Sequence, residues 1–253
     1  MLGPVLDLDR RIARLAIPAL GSIAAEPLYN LADTAIVGHL GRSPLDALAI
    51  AASVLSVVAW LAIFLSTATT TEVAKNTASG AHQAAARAVG AAYAVAAGWG
   101  AVTAVLLVLL APYATWLLGA RGGVGGIGPA ATEYVRISAL GLPFLYLSFA
   151  GNGHLTGQQD TRTPLRIAVG ANVINVALEA LLVFGLHTGL AGSAWGTVAA
   201  QVVAAAAYAR AEQCAPGNQE FTVKRQLAHA LSVRTPHPRP SPETMTRSGA
   251  ARD

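Results

Sequence analysis

A chain of 253 residues that is 54% hydrophobic and only 12% charged, with a mean hydropathy of +0.50, cannot wet its surface as a soluble domain does, because such domains carry about a quarter charged residues. Basic residues outnumber acidic ones 17 to 13, but the stretch from Cys214 onward holds Lys224, Arg225, Arg234, Arg239, Arg247 and Arg252 against Glu220, Glu243 and Asp253. Most of the excess therefore sits in a polar tail, and no basic stripe interleaved with aromatics remains for nucleic acid. The lone Cys214 excludes an intrachain disulfide and any multi-cysteine metal centre.

About 20 apolar residues cross a hydrocarbon core. The first candidate span, residues 15–38, follows Arg10, Arg11 and Arg14 as a signal peptide would, but it is too long, contains Glu26 and Asp33, and reads as a mature helix. The second covers 45–71, charge-free between Asp46 and Glu72, and the third lies between Arg87 and Arg121, ending in the interfacial aromatics Tyr113 and Trp116. Gly119 to Gly128 reads as a loop. Spans four, five and six are expected at 130–155, 165–186 and 190–210. The fold class is all-α: a polytopic membrane bundle of six transmembrane helices over residues 1–212. Residues 213–253 form a Pro/Arg-rich tail, expected to be disordered because it carries no long apolar run.

Lys and Arg in short loops set the orientation. One side collects Arg10, Arg11, Arg14, Lys75, Arg87, Arg162, Arg166 and Arg210; the other has Arg42 and Arg121, with Arg136 just inside span four. The richer side is read as cytoplasmic, which places both termini inside a plasma-membrane protein and agrees with an even number of spans.

Ionisable groups at membrane depth cost about 2.5–3.5 kcal/mol on insertion scales, so each needs a reason. Glu26, Tyr29, Asn30 and Asp33 are spaced i, i+3, i+4, i+7 and share one face of the first helix; Asn172, Asn175 and Glu179 share one face of the fifth; Thr197 and Gln201 lie one turn apart on the sixth. Lipid cannot be what three polar stripes meet, and a common wet cavity is the economical arrangement. The structural alternative for Asn30, Asn172 and Gln201 is interhelical hydrogen bonding. Simple glue does not need a carboxylate, so Asp33, Glu179 and Glu26 are read as functional. Two carboxylates around a low-dielectric cavity cannot both ionise easily. They can exchange a proton or, with Asn and Thr oxygens, ligate Na⁺. Pro18 removes one hydrogen bond from the first helix and allows it to bend. Glu72 with Lys75 is expected as a solvated pair and Glu133 with Arg136 as an interacting pair. His39, His82, His154 and His187 are expected to pack at span ends, at spacings that make no metal site. No HExxH, GxSxG elbow or phosphate loop is present, so the chain does not read as an enzyme.

Four stretches carry a resemblance. Ile17-Pro18 with the run from Glu26-Pro27-Leu28-Tyr29-Asn30 through Asp33 to Gly41 resembles the first helix of the multidrug and toxic compound extrusion (MATE) family, particularly its DinF-type branch. Gly157 to Leu165 resembles that family's loop between helices four and five, Asn172 to Gly185 its fifth helix, and Gly189 to Thr197 the opening of its sixth. The resemblance implies proton- or sodium-coupled export of amphiphilic, cationic small molecules by two six-helix lobes around a central cavity, with no cofactor. It implies a coupling site at Asp33, Asn175, Glu179 and Thr197, where Glu179 stands for the commoner Asp, with Glu26, Tyr29, Asn30, Asn172 and Gln201 lining the cavity and Pro18 as the bend. Those transporters continue into a second lobe. For this chain the expectation is a truncated antiporter; the alternative is a non-transporting six-helix remnant, or a half-transporter needing a partner lobe or a second copy of itself.

Overall fold

The computed structural model describes residues 20, 21, 24, 27–120 and 126–214. Glu26 and Pro18 lie outside the described residues, as does the tail from residue 215 onward. Among the described residues every regular element is helical: α1 (residues 27–38), α2 (Arg42–Ala78), α3 (His82–Leu117), α4 (Ile127–Ala139), α5 (Leu142–Gly157), α6 (Arg162–Ala180, continued by a π-helical turn Leu181–Gly185) and α7 (Leu190–Cys214). Among the described residues four helices are long and apolar enough to cross a membrane: α2, α3, α6 with its π turn, and α7. Their outer faces carry Trp60, Phe64, Leu109, Leu117 and Leu181, all exposed. That distribution suits a molecule whose solvent is hydrocarbon.

The expected fourth span is two helices, α4 and α5, bent by 50° at the break between them. Pro143, in the first turn of α5, has no N–H to continue the ladder from α4. Its ring also disfavours the helical region for the residue before it. The glycine-rich loop is shorter than expected, because α4 starts at Ile127 with Gly128 already in its first turn.

The helices meet through small residues. A Cβ built on Gly153 would lie 2.5 Å from the Ser66 carbonyl oxygen, and one on Gly157 would lie 2.8 Å from Val73 Cβ, so α5 and α2 touch nearly backbone to backbone. A Cβ on Gly196 would lie 3.2 Å from the backbone nitrogen of Glu179, which places α7 directly over that residue of α6.

Histidine 154 corrects an expectation of interfacial packing. It is buried, its Nδ1 lies 2.8 Å from Glu212 Oε1, and Tyr93 donates to the same oxygen, so one carboxylate near the end of α7 ties α3, α5 and α7 together. No Lys or Arg side chain pairs with a carboxylate among the described residues. Glu72 and Lys75 are exposed without pairing. Glu133 and Arg136 do not pair either; the Arg136 Nε donates instead to the Val108 carbonyl.

Asp160, in the turn between α5 and α6, accepts from the N–H groups of Arg162 (3.1 Å) and Thr163 (3.0 Å), satisfying donors that the first turn of α6 leaves open. Partial burial opposes its charge, but the Thr163 hydroxyl, those two N–H groups and Arg166 outweigh it and hold the carboxyl below the usual 3.8. A depressed folded-state pKa contributes stability that is complete above the unfolded value and is lost as pH falls through the folded one. Asp160→Ala should therefore cost about 1 kcal/mol at neutral pH. The gap between variant and parent should close below pH 3.8, as read by thermal unfolding in detergent. A gap that widened in acid would contradict the capping role.

Candidate functional site

Helix α1 places Tyr29 and Asp33 one turn apart, and both turn inward: Asp33 is buried and Tyr29 half-buried. Beneath them Val37, one further turn along, is fully buried and seats that face on the core. From α7, the Ser193 hydroxyl donates to Asp33 Oδ1 at 2.8 Å, and Thr197 Oγ1 lies 3.1 Å from the Tyr29 hydroxyl. Thr197 also donates to the Ser193 carbonyl, which fixes the two hydroxyls on one face. From α6 come Asn175 and Glu179, 4% and 0% exposed.

The Glu179 carboxyl lies close to Asp33 and Ser193. Neither of its oxygens makes a hydrogen bond, and Asn175 Oδ1 is likewise without a partner. Leaving such groups dry and unmade is expensive, by about 1–3 kcal/mol each and more for a charge. Carboxylate and amide oxygens presented without donors are the chemistry that a proton or a hard cation satisfies. Among the described residues no three His, Cys, Asp or Glu side chains gather into a transition-metal site. Two features of the sequence build this pocket. Gly196 lets α7 approach until Glu179 is sealed beneath it. The π turn that begins at Leu181 widens α6 immediately after Glu179, as its Leu186 N–H to Leu181 carbonyl bond shows.

Asp33, Tyr29, Asn175, Glu179 and Thr197 thus come together. Three other candidates among the described residues are placed differently. Asn30 is exposed on the flank of α1, and Asn172, half-buried on α6, sits one turn from Asn175. Gln201 turns to the break between α4 and α5, where its Oε1 lies against Gly141 and, like the Ser138 hydroxyl, has no partner.

Two contributors escape the sequence reading. Ser193 stands at i−4 from Thr197 and i−8 from Gln201, so the periodicity that marks those two extends to it. Tyr134 of α4, almost fully buried, faces Asp33, Tyr29, Ser193 and Thr197. A lone tyrosine in an apolar span carries no comparable signal.

The MatE family model matches residues 18–181 of the chain. Among curated proteins, DNA damage-inducible protein F of Escherichia coli is 32% identical over 195 residues, covering 76% of this chain and 42% of its own length. The chloroplastic protein DETOXIFICATION 47 of Arabidopsis thaliana is 29% identical over 196 residues, covering 78% and 36%. Among solved structures, a MOP superfamily transporter from Pyrococcus furiosus superposes with a TM-score of 0.73 at 25% identity, covering 79% of this chain and 43% of that one. A MATE crystal structure in the bent conformation superposes with a TM-score of 0.76 at 23% identity, covering 85% and 48%. This chain therefore spans about two fifths of the length of the curated relatives it matches.

Proposed function

Because the chain belongs to the MatE family, we propose that it is the six-helix lobe of a secondary active transporter, an antiporter that exports amphiphilic, cationic small molecules in exchange for H⁺ or Na⁺. The observation that carries the reading is the meeting of Asp33 and Glu179 in a buried pocket where Glu179 and Asn175 lack hydrogen bonds. Two carboxylates held together in low dielectric cannot both bear their charge alone; they share a proton or a cation. Asn175 Oδ1 and the hydroxyls of Thr197, Ser193 and Tyr29 supply the neutral oxygens around it. The coupling ion is a substrate of the cycle, into which no cofactor or enzymatic step enters.

In this reading Glu26, Tyr29, Asn30, Asn172 and Gln201 border the path of the exported compound, and Pro18 lets the first helix bend when the ion site fills or empties. Residues 1–212 form the lobe and 213–253 its tail, both termini face the cytoplasm, and the protein resides in the plasma membrane. Alternating access in such transporters rocks one repeat against another. The lobe accordingly works against a second one, supplied by a longer chain or by a second copy. A different reading is a membrane-embedded lobe that transports nothing by itself.

The test is ethidium accumulation in an efflux-deficient bacterial strain expressing the chain, compared with Glu179→Gln at equal membrane levels. The parent should lower accumulation and the variant should return it to the empty-vector level. Unchanged efflux by Glu179→Gln would sink the site assignment. Folded parent protein without efflux would favour the lobe that needs a partner.

A further inference from the structure

Proline 112 lies inside α3, five residues before its end. Its ring removes the N–H that would bond the Val108 carbonyl four residues earlier, so that acceptor needs a donor from outside the helix ladder. The structure fills that position from outside the helix: Arg136 Nε, on α4, donates to Val108 O at 3.2 Å. One turn earlier on α4, Thr132 Oγ1 lies 2.9 Å from Thr115 Oγ1, while Thr115 itself donates back to the carbonyls of Ala111 and Pro112. The two ties straddle the proline, at 108 and at 115, and both leave the same face of α4.

Tyr134 lies midway between Thr132 and Arg136 in sequence, about 200° around the helix from each at 3.6 residues per turn. It therefore projects from the opposite face, towards Asp33, Ser193 and Thr197. The rotation and height of α4 that seat Tyr134 on the ion pocket are set by what the other face grips. We propose that Arg136 is a positioning residue: it supplies the donor that Pro112 removes from α3, and through α4 it holds Tyr134 against the coupling site. The proposal rests on the reading of that site given above. It also accounts for a guanidinium within a membrane-spanning segment that pairs with no acid among the described residues, although Glu133 stands three residues away.

The experiment uses the full chain in lipid nanodiscs and reads the rise in unfolding temperature on titrating NaCl against a potassium baseline and, separately, on lowering the pH. Parent, Asp33→Asn, Arg136→Gln, Pro112→Ala and the double variant Arg136→Gln/Pro112→Ala are compared. Arg136→Gln should weaken the half-saturating ion concentration by roughly 2- to 30-fold, the range for residues that modulate a site through their neighbours. Pro112→Ala restores the hydrogen bond within α3 but not the grip of α4 on it, so the double variant should stay as weak as Arg136→Gln. If Arg136→Gln lowers the unfolding temperature but leaves half-saturation unchanged, Arg136 only packs the bundle and the proposal is overturned. It is also overturned if the double variant returns to the parent's half-saturation, since Arg136 would then serve only the hydrogen-bond ladder of α3. Should Arg136→Gln fail to accumulate, Arg136→Lys, which keeps a charged donor, takes its place, with a smaller weakening expected and no rescue by Pro112→Ala. An Asp33→Asn variant that responds to ions as the parent does would refute the coupling site itself, and a parent that responds to neither ion would remove both.

Discussion

Asp33→Asn should abolish ion-driven transport while leaving insertion and folding intact. The introduced amide oxygen can still accept the 2.8 Å hydrogen bond from Ser193, so the tie between α1 and α7 survives the substitution. What disappears is one of the two acids in a pocket where Glu179 lacks hydrogen-bond partners and Asn175 Oδ1 is equally unsatisfied. A neutral amide at position 33 leaves Glu179 as the pocket's one acid, so the pair that would share a proton or a cation is gone. Site-to-site couplings commonly amount to about 1–3 kcal/mol, so the ion's effect on substrate export should fall about 5- to 150-fold. The measurement is ethidium efflux from proteoliposomes after a pH jump and after a sodium jump, beside the unfolding temperature of the same preparation. Normal pH- and sodium-driven efflux by the variant would remove Asp33 from the mechanism. Loss of efflux together with loss of the folded protein would assign Asp33 to packing.

Much of this pocket is legible in the sequence, for a physical reason. A membrane helix must justify every carboxylate, so Asp33 and Glu179 stand out from an apolar background, and helical periodicity attaches Tyr29 and Asn175 to their faces. The positions of α2, α3, α6 and α7 follow from hydropathy in the same way, since each is long and apolar enough on its own. Periodicity fails where a group's role depends on another helix. Asn30 shares the stripe of Asp33 but is exposed, because a stripe is wider than the contact it makes. Arg136 reads as a partner for Glu133 at i−3, yet it bonds a carbonyl that became available only because Pro112 sits on the neighbouring helix. Hydropathy also misses the bend of the fourth span, although Gly141 and Pro143 are visible in the sequence. Proline within membrane helices is often tolerated without a break, so the residue pattern alone does not decide.

Gly153→Leu should be the most damaging substitution outside the pocket. Gly153 and Gly157 are spaced four apart on α5, the spacing that lets membrane helices approach through their backbones. The approach is used on both: a Cβ at Gly153 would meet the Ser66 carbonyl oxygen at 2.5 Å and Thr69 Cβ at 2.9 Å, and one at Gly157 would meet the Thr70 carbonyl oxygen at 2.9 Å. Ser66 O is backbone in the middle of α2 and cannot rotate away, so a larger side chain must push the helices apart. That separation breaks the 3.2 Å hydrogen bond from the Thr70 hydroxyl to the Gly153 carbonyl and leaves Thr70 only its 2.9 Å bond back to the Ser66 carbonyl. Overpacking costs typically about 1–3 kcal/mol, and the rigidity of the obstructing atom puts this site at the upper end. Against a total stability of about 5–15 kcal/mol, the variant should accumulate poorly and unfold at a clearly lower temperature. Gly98→Leu is the control, because a Cβ there meets nothing within 4 Å and its side chain would enter lipid. Equal unfolding temperatures for the two variants would mean that the α2–α5 seam is softer than its geometry shows. A drop confined to Gly153→Leu, with ion response retained in whatever protein folds, would separate the seam that builds the lobe from the pocket that it holds.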